Sequence, residues 1–437
     1  MMRHAVLAAL VAAGAASLAF PAMAQDGLLA HQAPLDIDPA ATAWVLTSTA
    51  LVLMMTLPGL ALFYGGMVRK KNIISVVAQS TAAFGVVTVL WFIAGYSLAF
   101  GQGPAAANGL IGGLQAAFLN GVTARTAHGL LPHLPELLFV SFQLTFAIIT
   151  PALIAGAFAE RMKFSASVLF FALWHLIVYA PICHQVWGGG WLGGLGVLDF
   201  AGGAVVHVNA GVAGLVCAMV LGPRHGFGRD NMAPANLAYS AIGTGLLLVG
   251  WLGFNAGSAG AADALAATAA FNTILAAGSA AVGWMSVEWI ERRRATLLGL
   301  LSGIVGGLVA ITPAAGFVDP KGAFAIGLIA GPACYAGAVW LKHALKYDDS
   351  LDAFGVHGVG GIVGALLTGL FATTGVNALA EGAAVWKQAL GLLGAMAWSA
   401  AGTFLVLMIC RFTTGLRVSK EQEIEGLDYT QHGETLH

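Results

Sequence analysis

The sequence predicts an all-α membrane protein of eleven transmembrane helices, with an inverted repeat of helices one to five and six to ten and then a final helix. Three observations support this fold class. Only 9% of the 437 residues are charged, whereas an average soluble protein has roughly 25%. The mean hydropathy is +0.83. Eleven apolar stretches have the length of about 20 residues that a helix needs to cross a bilayer.

The composition also excludes other classes of protein. A net charge of −1 lacks the basic excess that nucleic-acid binding needs, because that binding depends on neutralising phosphates. The 59 glycines follow no collagen-type period, and the apolar stretches lack the alternation of a membrane β-barrel. The four cysteines stand alone in apolar segments. Neither a disulfide, a metal site nor any other cofactor is therefore predicted.

The first 24 residues are organised like a cleaved signal peptide. Arg3 gives a basic start, an apolar stretch follows, and Ala22-Met23-Ala24 is a small-residue cleavage pattern. An uncleaved first helix is the alternative interpretation. With cleavage, residues 25–411 form the membrane domain and residues 412–437 form a cytoplasmic tail. The mature N-terminus then lies outside the cytoplasmic (inner) membrane.

The distribution of basic residues sets the predicted topology. Fifteen of the 19 lysines and arginines fall in cytoplasmic connections or the tail, as the positive-inside rule requires. Glu160 and Glu288, near inner helix ends, are predicted to pair with neighbouring arginines. The tail is too short for its own core, so disordered and docked tails both stay open. The predicted helices begin near Ala41, Ile73, Leu137, Phe164, Ala201, Pro234, Ala264, Ala295, Gly322, Phe354 and Gln388.

Two histidine motifs indicate the internal repeat. His207 in the fifth helix and His357 in the tenth both begin the pattern H-x3-G-x2-G. Because five is odd, the second copy enters the membrane from the opposite side, and such repeats place their functional site near the midplane. Ionisable groups are costly in the bilayer, so both imidazoles are predicted to line one pathway. Chance similarity and two separate packing histidines are the alternatives. His175, which has no counterpart, is predicted to be structural.

Aromatic and small polar residues collect at the outer helix ends. Phe142, Trp187 and Ser258 are predicted to converge on a vestibule, where aromatic faces and a hydroxyl oxygen attract a small cation. Interface anchoring by Trp and packing by Phe are the alternative. Asp199, at the start of the fifth helix, is predicted chiefly to cap that helix.

Eight segments in order resemble the Amt/Mep/Rh family of ammonium transporters, especially its bacterial members. The resemblance extends from about Ala41 into the tail. The segments are PGLALFYGGMVRKKN (58–72), GAFAERMKFSA (156–166), VWGGG (186–190), LDFAGGAVVHVNAG (198–211), GWLGFNAGSAG (250–260), ITPAAG (311–316), FGVHGVGGIVG (354–364) and GLRVSKEQEIEGLD (415–428).

The resemblance implies a role for each residue at the outer end. Phe142, Trp187 and Ser258 match the family's external cation-recruitment site, and Asp199 matches the acidic residue behind it. Phe142 together with Phe254 matches the family's stacked phenylalanine gate.

The resemblance also implies a pore and partners. His207 and His357 match the twin histidines that line the family's narrow pore. The family further implies a homotrimer with one pore per subunit, a regulatory tail, and a PII-type signal protein on the cytoplasmic face. Three features depart from the pattern: a longer outer loop at residues 101–136, His175 at a normally apolar position, and Ala204. Of these, the loop bears on access to the vestibule.

Residues and resemblance together predict ammonium uptake, with methylammonium as an analogue, by a transporter that is not an enzyme. Ammonium exchanges water for aromatic faces and the Ser258 hydroxyl and then loses its proton near Phe142 and Phe254. Ammonia crosses beside the histidines, because a bare cation in an apolar pore pays a large desolvation cost. Three rival functions are a haem or metal oxidase, an ammonium sensor, and a channel for a neutral gas. An oxidase would need further ligands, which the sequence lacks, and a sensor would need more than a short tail. The predicted cation site argues against a neutral gas.

Overall fold

The computed structural model describes residues 31–32 and 36–436, and the predicted signal peptide lies outside them. In this part, ten helices are long and apolar enough to cross a membrane, and an eleventh is shorter. All eleven begin within three residues of the predicted positions, which confirms the all-α membrane fold. They are α1 (Pro39–Met67), α2 (Lys70–Phe100), α3 (Glu136–Phe158), α4 (Phe164–Gly194), α5 (Gly203–Leu221), α6 (Leu237–Gly257), α7 (Ala264–Arg292), α8 (Leu297–Ile311), α9 (Pro320–Leu345), α10 (Phe354–Phe371) and α11 (Val385–Thr413).

Local sequence explains where several helices begin. Asp38, Asn236, Asp263, Thr296 and Asp319 each accept a hydrogen bond from a backbone N–H in the first turn of the following helix. Such caps satisfy donors that a helix start leaves unpaired. The beginnings of α1 and α9 also place proline in the first turn, where no backbone donor is lost.

Short π-helical turns interrupt several of the transmembrane helices. Two of them form the beginnings of α5 and α10, at Gly203–Val208 and Phe354–Gly358. These turns carry His207 and His357, so both predicted pore histidines lie where the helix is locally widened. Another π turn, His175–Tyr179, lies within α4. His175 is fully buried there and stacks on Tyr179 at 5.7 Å.

The long outer loop, residues 101–136, folds back onto the bundle. A two-residue strand, β1 (His31–Gln32), pairs antiparallel with β2 (Ala127–His128). On α4, the His184 ring nitrogens lie 3.0 Å from the Ala99 carbonyl oxygen and 2.7 Å from the Asn108 carbonyl oxygen. The Asn108 contact holds the loop against the outer end of α4, and the Ala99 contact joins α4 to the end of α2.

The tail is docked on the helix bundle, at the face predicted to be cytoplasmic, so the docked alternative is the one observed. It contains two short helices, α12 (Lys420–Glu425) and α13 (Leu427–His432). The Asp428 carboxylate accepts the Ser75 N–H at 2.8 Å, and the Val418 N–H donates to the Arg161 carbonyl at 3.1 Å. The tail thus accepts a backbone N–H near the beginning of α2 and donates a hydrogen bond to the connection between α3 and α4.

Charged residues at the inner helix ends follow the prediction only in part. The Glu160 carboxylate pairs with Arg69 at 2.9 Å and with Arg224 at 3.0 Å. Burial alone raises the pKa of Glu160, but the Arg224 and Arg69 guanidinium groups outweigh it and hold the pKa below its usual range. The predicted arginine partner of Glu288 is wrong. Its carboxylate instead accepts the Thr296 N–H at 2.8 Å and the Thr296 hydroxyl at 3.0 Å, which closes the turn before α8.

Candidate functional site

A cavity of about 380 Å³ opens at the outer ends of the helices. Phe142, Trp187, Asp199 and Ser258 all line it, so the structure brings together the four residues predicted for the vestibule. Leucines of the long outer loop complete the wall: Leu130, Leu131 and Leu134. None of the lysines or arginines in the described chain lines this cavity. The vestibule therefore presents aromatic and oxygen surfaces to a cation without a competing positive charge.

The phenylalanine pair below the vestibule differs from the prediction. The Phe254 ring packs against Phe146 with centroids 4.3 Å apart. Phe142 lies one helical turn away and contacts the Phe146 ring edge-on at 5.0 Å. Within the described residues, no ring contact joins Phe142 and Phe254. The predicted stacking of Phe142 on Phe254 is therefore wrong. The ring that packs on Phe254 from this helix is Phe146, with the two ring planes tilted by 39°.

Asp199 caps α5, as predicted. Its two carboxylate oxygens accept the backbone N–H groups of four residues, at 2.5 to 3.1 Å: Gly202, Gly203, Ala204 and Val205. The Asp199 carbonyl oxygen also accepts the Trp187 indole N–H at 2.9 Å. One residue thus fixes both the beginning of the pore helix and the orientation of the vestibule tryptophan.

Ser258 presents an acceptor to the vestibule. Its hydroxyl donates to the Phe254 carbonyl oxygen at 2.8 Å. Since a hydroxyl has one hydrogen and two lone pairs, the hydroxyl oxygen keeps acceptor capacity for an N–H of a bound cation.

His207 and His357 lie side by side near the middle of the fold. Their Nδ1 atoms are 3.3 Å apart and both rings are buried. Because a neutral imidazole has one donor and one acceptor, one ring donates to the other and each directs its Nε2 elsewhere. The His207 Nε2 has no hydrogen-bond partner within the described chain. A buried polar atom of this kind indicates a place for a polar guest.

A line of ring contacts connects the vestibule with the histidines. The Trp187 ring lies 5.9 Å from Phe146, and Phe146 lies 4.3 Å from Phe254, measured between ring centroids. Phe254 lies 5.9 Å from His207, and His207 lies 5.4 Å from His357.

Trp251 supports this line from the side. Its ring stacks on His207 at 5.3 Å, and its indole N–H donates to the Thr312 hydroxyl at 2.9 Å. The indole nitrogen is thereby occupied, and the tryptophan presents only its apolar face to the imidazole.

The glycines of the two motifs bring α5 and α10 into contact. A Cβ on Gly211 would lie 2.2 Å from the Gly358 nitrogen, and a Cβ on Gly361 would lie 3.1 Å from the Val208 nitrogen. Gly211 lies four positions after His207 and contacts Gly358, the residue after His357. Gly361 lies four positions after His357 and contacts Val208, the residue after His207. Reciprocal contacts of this kind are what an inverted repeat requires of its two copies.

Asp349 repeats the Asp199 cap at the inner end. It precedes His357 by eight positions, as Asp199 precedes His207. Its carboxylate accepts the Ala353 N–H at 3.0 Å and the Phe354 N–H at 2.7 Å. Burial, with a smaller contribution from the Asp352 charge, raises the pKa of Asp349 to about 6.

Sequence reasoning missed three residues of this site: Phe146, Trp251 and Asp349. The matched spacing of Asp199 and Asp349 before the repeated histidines was a signal that could have found the second cap. Phe142 and Phe146, four residues apart, share a helix face, and only their depth in the bundle separates them. Trp251 carried no comparable signal.

Comparisons with known proteins assign the family. The sequence profile described as Ammonium Transporter Family matches residues 43–436. An ammonium transporter of Bacillus subtilis is 47% identical over 90% of this chain and 97% of its own, and one of Aquifex aeolicus is 46% identical over 93% and 95%. The crystal structure of Saccharomyces cerevisiae Mep2 is similar with a TM-score of 0.82, at 37% identity over 89% of each chain. The chain belongs to the ammonium transporter family.

Proposed function

We propose that this protein takes up ammonium across the cytoplasmic membrane by capturing the cation outside and passing it inward as ammonia. It acts as a transporter and carries out no enzymatic reaction. The observation that carries the proposal is the buried Nε2 of His207, which has no hydrogen-bond partner in the described chain. His207 lies near the inner end of a line of rings that starts in the vestibule.

Capture takes place among Phe142, Trp187 and Ser258. Each aromatic face that a cation contacts contributes about 0.5 to 2 kcal/mol, and the Ser258 oxygen replaces one water of its shell. The Asp199 carboxylate is buried and shared among four backbone donors. Its charge acts on the vestibule through space rather than as a direct ligand. The backbone carbonyl of Asp199 keeps the Trp187 indole in place.

Deprotonation occurs at the pair of Phe146 and Phe254, where ammonium gives its proton to water of the open vestibule. Both rings are buried and in contact, with their centroids 4.3 Å apart, so a cation that passes between them loses the remaining water of its shell. Neutral ammonia avoids most of that cost. Below the pair, the Nε2 atoms of His207 and His357 hydrogen-bond the ammonia. Water and metal cations are rejected because the apolar walls do not replace their shells.

Electrical recording from proteoliposomes tests the function. The wild-type protein should respond to ammonium and methylammonium and should discriminate against potassium. His207→Ala should reduce methylammonium flux or its selectivity, whereas His175→Ala, which removes a buried imidazole away from the ring line, should retain both. Size-exclusion profiles of both variants check folding. A His207→Ala protein with unchanged rate and selectivity would refute the proposal.

We also propose the assembly and orientation that the sequence favours. The basic residues place the tail in the cytoplasm and the mature N-terminus outside the inner membrane, after removal of residues 1–24. The resemblance to the bacterial family favours a homotrimer with one pore per subunit and a PII-type signal protein on the cytoplasmic face. Cross-linking in membranes and protease accessibility of the tail test these statements.

A further inference from the structure

A second cavity, of about 360 Å³, lies on the cytoplasmic side between the tail and the connection that follows α5. Residues 223–227 and Arg229 form one wall, and Arg417, Lys420 and Glu423 form the other. No residue lines both this cavity and the vestibule. The inner cavity is therefore separate from the vestibule.

The acidic residue of the inner cavity is already neutralised. One Glu423 oxygen accepts the Arg417 guanidinium at 2.7 Å, and the other accepts the His225 backbone N–H at 2.5 Å. The Glu423 side chain is 2% exposed. It therefore anchors the tail and leaves little acceptor capacity for a further cation.

Two basic residues of the cavity form no ion pair in the described chain, and the charge of Glu421 reaches Lys420 only through space. Arg224 is neutralised by two buried carboxylates at the inner helix ends. Arg229 and Lys420 are exposed, and no ion pair of the described chain includes either of them. Asp230 lies against Gly226, and its charge acts on Lys71. The open positions in the cavity are therefore cationic.

We propose that the inner cavity binds a phosphate-bearing anion between Arg229 and Lys420. A guanidinium matches phosphate oxygens in a two-pronged contact, and an ammonium adds a compact charge. The half-buried Phe227 ring, also in the wall, offers an apolar surface to the rest of the ligand. The volume lies in the range of small-molecule sites and exceeds what inorganic phosphate alone requires.

Binding has a structural consequence for the tail. Lys420 begins α12, whereas Arg229 belongs to the connection directly after α5, the helix that carries His207. An anion held by both residues links the tail to the end of a pore helix. The bound anion therefore stabilises the docked tail, because a ligand that binds only one state shifts the equilibrium towards that state.

Hydrogen exchange of residues 417–425 in the full-length protein tests the proposal. The protein is placed in nanodiscs of zwitterionic lipid, and either inorganic phosphate or adenosine triphosphate is added. In a third arm, anionic phospholipid replaces part of the bilayer. At about ten times the Kd, one of these probes should slow exchange in the tail about tenfold.

Matched double variants provide the controls. Arg229→Ala with Lys420→Ala should abolish the slowing, and Lys70→Ala with Arg294→Ala, two exposed cytoplasmic cations outside the cavity, should retain it. A response to a soluble probe identifies a cytoplasmic ligand, and a response to anionic lipid alone identifies a headgroup. The proposal would be overturned if none of the three probes slowed hydrogen exchange in the tail. It would also be overturned if a probe slowed exchange equally in the two double variants.

Discussion

Gly211→Ala is expected to separate the two helices that carry the paired histidines. A Cβ at this position would lie 2.2 Å from the Gly358 nitrogen and 2.4 Å from its Cα, whereas ordinary contact begins at 3.4 Å. Since close-packed backbone cannot yield locally, α5 and α10 must move apart by about 1 Å. The Nδ1 atoms of His207 and His357 are 3.3 Å apart, so such a shift carries them beyond hydrogen-bond distance.

The expected cost follows from two contributions. Forcing an extra methyl into a packed interface costs about 1 to 3 kcal/mol, and a lost hydrogen bond costs about 0.5 to 1.5 kcal/mol. Gly211→Ala should therefore destabilise the protein by about 1.5 to 4.5 kcal/mol. Thermal unfolding of the purified variant measures the loss of stability, and methylammonium uptake into proteoliposomes measures the loss of transport.

Gly245→Ala is the matched control, because it is the same substitution within a transmembrane helix of the same chain. A Cβ at Gly245 would meet no atom within 4 Å, and alanine favours a helix over glycine by about 1 kcal/mol. This variant should keep its uptake and unfold at the same temperature or higher. If Gly211→Ala behaved like Gly245→Ala in both assays, the close contact of α5 and α10 would be refuted.

Three further perturbations examine the outer and inner ends. Phe146→Leu should impair methylammonium uptake and its selectivity over potassium more than Phe142→Leu, because only the Phe146 ring packs on Phe254; equal effects would count against the corrected pair. Asp199→Ala should lower the Tm and uptake together, since four N–H groups lose their acceptor and a helix cap contributes about 0.5 to 2 kcal/mol; an unchanged Tm would contradict this role. Protonation of Asp349 should add stability as the pH falls from about 6 towards 3.8, because over this range the folded chain holds a proton on Asp349 that the unfolded chain has released. This gain is worth up to about 3 kcal/mol, and Asp349→Asn should remove it in pH-dependent melting curves.

The fold and the histidine pair were predictable because they depend on patterns that the chain repeats. Hydropathy sets the helix positions to within a few residues, since burial in lipid selects for long apolar stretches. The equal spacing around His207 and His357 predicts that the rings share a pathway, and the structure places them in contact.

The remaining features depend on depth and on contacts between distant segments. Phe142 and Phe146 differ only by one turn along a face, so their order relative to Phe254 is set by how α3 and α6 pack. The docked tail depends on bonds such as Ser75 N–H to Asp428, which joins positions 353 residues apart. A short polar segment shows no hydropathy pattern that predicts such a bond.

The two halves of the repeat share a backbone plan but differ in the residues around each aspartate. Asp199 lies beside a cavity that contains aromatic rings and no basic side chain. Asp349 follows Asp348, which pairs with Arg224 at 2.8 Å, and Arg224 in turn pairs with Glu160. The caps are therefore equivalent for the helices but not for a passing ion. A cation meets aromatic surface at the outer cap, whereas the Asp348 and Glu160 carboxylates near the inner cap are already paired with Arg224. The proposed capture of the charged species is therefore favoured at the outer cap, whereas neutral ammonia needs no such surface at either end.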